Sequence, residues 1–307
     1  MMHLALKIDV DTLKGTQEGV PRLLELLRKH GAEATFLFSL GPDHTGRALK
    51  RVFRPGFLKK VRRTSVTSHY GIKTLLYGTL LPGPDIGNRC FNVMREVQAQ
   101  KHEVGIHCWD HVKWQDGVMT ADSAWTRAEM DKAVKRFRVI FGEQTPLTHG
   151  AAGWQMNRTA YREEQRLGMQ YSSDCRGTHP FWPVVQGELV RCPQLPSTLP
   201  TLDELIGVNG LTEHNVAQYL LGQTRSAPEY GHVFTLHAEL EGGKLIGVFD
   251  ALLSGWKEQG YTLVSTRTMF ESLNLAALPY HQVIDTEIPG RSGLLSCQGP
   301  EFLPAGA

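Results

Sequence analysis

Two carboxylates and three imidazoles, spread over three distant segments, carry the chemistry most visible in this chain. Asp9 and Asp11 lie in Lys7-Ile8-Asp9-Val10-Asp11-Thr12, His107 and His111 in Gly105-Ile106-His107-Cys108-Trp109-Asp110-His111, and His237 closes Phe234-Thr235-Leu236-His237. Each segment follows or ends a short apolar run that reads as a buried strand. Each therefore delivers its polar residues to the same end of a sheet or barrel, where catalytic groups gather. One carboxylate with two imidazoles makes a three-ligand metal site whose remaining positions stay open to water and substrate. The second carboxylate and third imidazole are left for proton transfer, the inventory of a metal-dependent hydrolase.

Each segment also has a plainer explanation. An Asp pair after a strand commonly forms a turn or a helix cap, and Asp-x-Asp also serves glycosyltransferases that hold a metal diphosphate. His107 and His111 are four apart, so one helical turn would align them. A lone histidine at a strand tip, such as His237, often only satisfies a turn. Together the segments complete one ligand count, which the plain explanations leave unaccounted for. A glycosyltransferase would give the three histidines no joint task, and a non-catalytic membrane-docking protein would need none of the five.

Two further segments are candidates for substrate contact or for orienting the main residues. His149-Gly150-Ala151-Ala152-Gly153-Trp154 has small residues that let backbone approach a ligand. Ser173-Asp174-Cys175-Arg176 offers a carboxylate able to orient an imidazole and a guanidinium suited to phosphate.

Short apolar runs alternating with amphipathic stretches must position these groups, as repeated βα units do. Strands are expected at 3–9, 34–38, 103–107, 170–174, 188–192, 232–237 and 261–265, with helices at 18–30, 89–100, 122–141, 157–167, 213–225 and 245–259. With 307 residues and 41% hydrophobic content, one barrel-sized core is affordable. The expected fold is α/β, a distorted (β/α) barrel of about seven units over residues 1–275, with an irregular tail over 276–307. Residues 44–88 interrupt the alternation as one long insertion in a βα loop.

That insertion is basic and apolar at once. From Arg47 to Lys73 the chain has nine Lys/Arg and no Asp or Glu, although the formal net charge is only +2. Arg47, Lys50, Arg51, Arg54, Lys59, Lys60, Arg62 and Arg63 alternate with Phe53 and Phe57, and Leu75, Leu76, Tyr77, Leu80 and Leu81 follow. Such segments lie in the interface of anionic membranes. No nucleic-acid module signature is present. The five scattered cysteines form no CxxC and fit a reducing compartment. No charged n-region with an apolar stretch precedes the first motif, and no run reaches the roughly 20 apolar residues of a bilayer span. A cytoplasmic protein, peripheral on the membrane, is expected.

With these motifs over about residues 3–270, the chain resembles the polysaccharide deacetylase (NodB-homology, carbohydrate esterase 4) family. The resemblance implies Asp9 as base, Asp11, His107 and His111 as ligands of one divalent metal ion (zinc, cobalt, manganese and nickel all suiting the set), and His237 as acid. Asp9-Val10-Asp11 stands where the family has adjacent aspartates. His149-Gly150-Ala151 stands where its Arg-x-Pro motif supplies the arginine that braces the base. The chain is similar in particular to members acting on an N-formyl amino sugar linked through phosphate to undecaprenol, used in lipid A modification and polymyxin resistance. This implies a polyprenyl-phosphate-linked formamido sugar as substrate and an inner-membrane anionic lipid surface as partner, with no protein partner inferable. Deacetylation of another lipid-linked or polymeric N-acyl sugar is the alternative within the family.

Overall fold

The computed structural model describes residues 2–48 and 72–303. The core is a five-stranded parallel sheet in the order β3-β2-β1-β6, with β7 also paired to β1. Its strands are β1 (Met2–Val10), β2 (Thr35–Ser39), β3 (Glu103–Cys108), β6 (His232–His237) and β7 (Tyr261–Val264). β1 is the central strand and is buried from Leu4 to Val10, as expected of a parallel strand covered on both faces. Its C-terminal half pairs with β2 and its N-terminal half with β7, while β6 runs along the other edge. The register places Asp9 opposite Leu37 on one side and His237 on the other.

Helices cover the sheet. α1 (Val20–His30) buries Val20, Leu23, Leu24, Leu26 and Leu27, the stripe its periodicity predicts, and stops at Gly31 with φ 62°. A single π-helical turn (Gly15–Gly19) leads into it. Then follow α2 (Ile72–Leu76), α3 (Ile86–Arg89), α4 (Phe91–Ala99), α5 (His111–Gly117), α6 (Ser123–Phe141) and α7 (Arg158–Arg166). α8 (Leu202–Leu205), α9 (Val216–Gln223), α10 (Ile246–Glu258) and α11 (Thr266–Glu271) complete the set used below. None among the described residues is long and apolar enough to cross a membrane. All five cysteines are buried and unbridged.

Of the about seven units expected, only five strands pair in the parallel sheet. Beyond β3 the parallel arrangement continues only through single bridges, Ile106 to His149, His149 to Ser172 and Ser172 to Gln194. Side chains take over ladder positions there: the Ser173 hydroxyl donates to the Leu195 carbonyl at 2.6 Å, and the Asp174 N–H donates to Gln194 Oε1 at 2.9 Å. Pro193 and Pro196 lack the N–H a regular strand would need. The strand expected at 170–174 is therefore not a regular one.

A second sheet, ordered β5-β4-β8-β9, overturns two further expectations. The 188–192 segment contributes only β5 (Glu188–Leu189), an antiparallel partner of β4 (Trp182–Val185). The tail is not irregular: β8 (Tyr280–Thr286) pairs in parallel with β4, and β9 (Leu295–Glu301) pairs back onto β8. Its exposed, weakly apolar alternation hid it, because the side chains of β8 bury little.

Within the insertion, Lys50, Arg51, Phe53, Arg54, Phe57, Lys59, Lys60, Arg62 and Arg63 lie outside the described residues. Arg47 donates from Nε to the Gly78 carbonyl at 3.1 Å. Tyr77 is buried, whereas Leu80 is 81% and Leu81 37% exposed.

Candidate active site

The C-terminal ends of β1, β3 and β6 bring all five sequence-predicted residues together. Asp9 is the next-to-last residue of β1 and Asp11 lies just beyond its end. Asp11 Oδ1 is 3.2 Å from His107 Nε2, and Oδ2 is 3.4 Å from His111 Nε2. The two histidines meet with ring centroids 5.3 Å apart, but not through a shared helical turn. His107 belongs to β3, while His111 opens α5, whose start is capped by Asp110 accepting from Lys113 N–H at 3.1 Å. A strand end followed by a capped helix start achieves the convergence instead.

The protonation of His107 is set by its other nitrogen. Nδ1 lies 2.6 Å from the Gly150 carbonyl and must donate to it, which leaves Nε2 to face Asp11. Burial alone would lower the His107 pKa, but Asp9 and Asp11 outweigh it and raise it. Burial would likewise raise that of Asp11, and His111 with His107 drives it far below the ordinary carboxylate range. Asp11 Oδ1 is buried without a hydrogen-bond partner. An ionised carboxylate facing two imidazole nitrogens is a donor set that fits a divalent cation. Asp11, His107 and His111 are also one of two such groups among the described residues.

Asp9 is 3% exposed, and its Oδ1 is buried with no hydrogen-bond partner. Lys7 Nζ lies 3.7 Å from that oxygen and His107 Nδ1 3.8 Å. The cation beside Asp9 is therefore the lysine two residues earlier on β1, rather than His149 or Arg176. Lys7 is fully buried and donates to the Ser173 carbonyl at 2.8 Å. Gly150 leaves it room: a Cβ there would meet Leu37 Cδ1 at 2.3 Å and Lys7 Cε at 2.9 Å.

His237, directly across from Asp9, is partly exposed, and its backbone N–H donates to Glu241 Oε2 at 2.8 Å. Burial pushes the Glu241 carboxyl up to about 7 against the opposing pull of His237. Glu239 Oε1 accepts from the N–H groups of Asp11 (3.1 Å) and Thr12 (2.8 Å) and from the Thr12 hydroxyl (2.8 Å), which fixes the turn carrying Asp11. Sequence reasoning missed Lys7, Glu239 and Glu241. A charge inside the apolar run of β1 was the one available signal for Lys7.

Of the remaining candidates, His149 and Asp174 pair with each other, His149 Nδ1 lying 2.7 Å from Asp174 Oδ1, at 2% and 0% exposure. Trp154, also buried, serves as a plate for cations: Lys7, Arg176 and Arg291 lie 5.3, 5.0 and 4.7 Å from its ring centre. Arg176 and Arg291 both bind Glu204 Oε1 at 2.6 Å, so Arg176 is held in an ion-pair network. Arg291 comes from the segment between β8 and β9, and the charge of Asp9 is among those raising its pKa.

A parallel α/β fold that gathers two carboxylates and three imidazoles at its strand ends defines a hydrolytic enzyme. The signature of polysaccharide deacetylases matches residues 4–172, and the chain belongs to the polysaccharide deacetylase family. It is 37% identical over 96% of its length, and 94% of the relative's, to a protein of Shewanella sediminis named as the 4-deoxy-4-formamido-L-arabinose-phosphoundecaprenol deformylase ArnD. A Wigglesworthia glossinidia brevipalpis protein of the same name is 30% identical, over 92% of this chain and 98% of that one. A solved polysaccharide deacetylase from Mycobacterium smegmatis shares the fold with TM-score 0.61 at 15% identity, over 94% and 96% of the two chains. A family 4 acetyl xylan esterase from Clostridium thermocellum, solved with a cobalt ion, gives 0.51 at 14% identity over 90% and 92%.

Proposed function

We propose that this protein is a metal-dependent deformylase that hydrolyses the N-formyl group of undecaprenyl-phosphate-linked 4-deoxy-4-formamido-L-arabinose, giving formate and the free 4-amino sugar lipid. The observation carrying this reading is the 37% identity to the Shewanella deformylase across 96% of the chain. On the same reading, the arc of single bridges after β3 is the irregular wall of a distorted barrel around the site.

Asp11, His107 and His111 would hold one divalent cation. When bound, it supplies Lewis acidity toward the formyl carbonyl and toward water. Asp9 takes the proton of the attacking water, since its Oδ1 has no competing hydrogen bond and a buried cation lies beside it. His237, on the adjacent strand, gives a proton to the departing nitrogen so that the product leaves as an amine. Glu239 keeps Asp11 in place through its three accepted hydrogen bonds. The basic insertion lets the enzyme rest on the cytoplasmic face of the inner membrane, where the lipid phosphate and polyprenyl tail of the substrate lie.

The test is incubation of the metal-loaded protein with formylated and acetylated forms of the lipid-linked sugar, reading formate and acetate by mass spectrometry. Formate from the formamido lipid is expected. Acetate release at an equal or higher rate would replace the deformylase reading with a deacetylase one, and release of neither acid would end it.

A further inference from the structure

Beneath the site is a second polar cluster that the reaction does not use. His149 Nδ1 lies 2.7 Å from Asp174 Oδ1 and 3.2 Å from Glu164 Oε1. Gln194 Nε2 donates to Asp174 Oδ2 at 2.9 Å and to Glu164 Oε2 at 3.3 Å, while its Oε1 accepts from the Asp174 N–H. His149, Glu164, Asp174 and Gln194 are 2% exposed or less. These donors and acceptors are matched among themselves. A proton shared between one imidazole and two carboxylates accounts for the cluster without a cation in it.

What the cluster holds is backbone. Asp174 Oδ1 accepts from the Ala151 N–H at 2.8 Å, and the Ser173 N–H donates to the His149 carbonyl at 2.8 Å. Residues 149–151 and 173–174 are thereby locked to each other, in the region where regular strand pairing has ended. Each of these short segments presents one carbonyl to the site. Gly150 O takes the Nδ1 proton of His107 at 2.6 Å, and Ser173 O takes a proton of Lys7 Nζ at 2.8 Å. One buried network thus lies behind both a candidate metal ligand and the cation beside Asp9.

We propose that His149, Asp174 and Glu164 are positioning residues: they set the Gly150 and Ser173 carbonyls, which aim His107 at the cation and Lys7 at Asp9. The inference rests on the metal-centre reading above but not on the identity of the substrate. Groups that orient a metal-bound imidazole typically change metal affinity about 10- to 100-fold when removed.

The test is titration of the metal-free full chain with Co2+, comparing wild type with His149→Gln, Asp174→Asn and Glu164→Gln. Glu103→Gln is the control. Glu103 is a buried carboxylate at the opposite end of β3, bound to Thr35, Tyr171 and Arg267, so its loss damages the fold without touching either carbonyl. The expected result is a Co2+ Kd raised about 10- to 100-fold in His149→Gln and Asp174→Asn. A smaller rise is expected in Glu164→Gln, which loses only the longer contact, and none in Glu103→Gln despite a lower Tm. If one of the first two variants does not fold, Glu164→Gln alone decides by the presence or absence of its rise. Unchanged Kd values, or an equal rise in Glu103→Gln, overturn the proposal. A wild type that binds no Co2+ overturns the metal-centre reading along with it, whereas failure to release formate touches neither.

Discussion

Lys7 Nζ lies 3.7 Å from Asp9 Oδ1 within a single strand, both side chains withdrawn from water. Alternation along a strand puts residues i and i+2 on one face, so the charge pair is built into β1 itself. The cation needs no partner element to reach Asp9; it needs only the space left by Gly150 and a carbonyl, that of Ser173, to take one of its protons.

Removing one member of a buried pair leaves the other uncompensated, which costs about 3 kcal/mol or more, while replacing both is often neutral. Lys7→Met is therefore expected to lower the stability of the metal-free protein, and adding Asp9→Asn to the same chain is expected to restore much of it. Chemical denaturation of the two single variants and the double variant measures this coupling. In the metal-loaded enzyme, Lys7→Met is expected to lower kcat about 100-fold with little change in KM, because an aimed charge at the reacting end is lost. Strictly additive stabilities would show that the pair does not interact.

The five strand-end residues divide into two sets with different signatures. Asp9→Asn and His237→Ala are expected to cost about 100- to 10,000-fold in turnover, the range of a lost proton-transfer group, with metal content retained. His107→Ala, His111→Ala and Asp11→Ala are expected to lose the metal. Metal analysis after gel filtration, beside a formate assay, separates the sets. A metal-free Asp9→Asn protein would move Asp9 from base to ligand.

The His149 cluster also fixes a pH dependence. Burial alone would lower the His149 pKa, but Asp174 and Glu164 push it up to about 9 from 6.5. A raised folded pKa contributes stability that is complete below about pH 6.5 and is lost as pH rises through about 9. Asp174, held below its ordinary value chiefly by His149 against the effect of burial, contributes in the opposite sense, its part present above pH 3.8 and lost on acidification. Metal-free protein is thus expected to lose stability between pH 6.5 and 9, by at most about 1.4 kcal/mol per pH unit for one proton. His149→Gln should flatten that slope, as urea titrations at several pH values would reveal. An identical slope in the variant would assign the effect elsewhere.

Much of this architecture was legible in the chain. Contiguous apolar runs announced β1, β2, β3, β6 and β7, and Asp9, Asp11, His107, His111 and His237 lie together where β1, β3 and β6 end. What escaped notice follows a physical pattern. Segments 171–175 and 193–198 hold position through Ser173, Asp174 and Gln194 side chains, and such bonds leave no periodicity to detect. β8 and β9 bury little, so the tail looked irregular although it delivers Arg291 to within 4.7 Å of the Trp154 ring. Glu239 and Glu241 act through backbone N–H groups distant in sequence from them or within their own turn, and acidic residues after a strand look like ordinary surface. For His149 and Asp174 the sequence left substrate contact and an orienting role both open; packing pairs them with each other at 2.7 Å.

Lys59, Lys60, Arg62 and Arg63 of the insertion lie outside both the candidate ligand set and the described residues. Within it, Leu80 and Leu81 expose apolar side chains, 81% and 37% of each, as a surface that meets lipid would. The cations should then matter for reaching the substrate rather than for breaking its bond. Replacing Lys59, Lys60, Arg62 and Arg63 by neutral residues is expected to weaken binding to anionic vesicles, each cation near a lipid surface being worth about 1 kcal/mol. Activity on the membrane-embedded lipid should fall with it, while activity on a short-tail soluble analogue changes little. Added salt should reproduce the loss in wild type, since exposed charges are screened beyond about 10 Å at 0.1 M. Vesicle sedimentation and paired assays on the two substrates read the outcome. Vesicle binding that survives both treatments, or an equal loss on both substrates, would show that these residues do not serve the membrane.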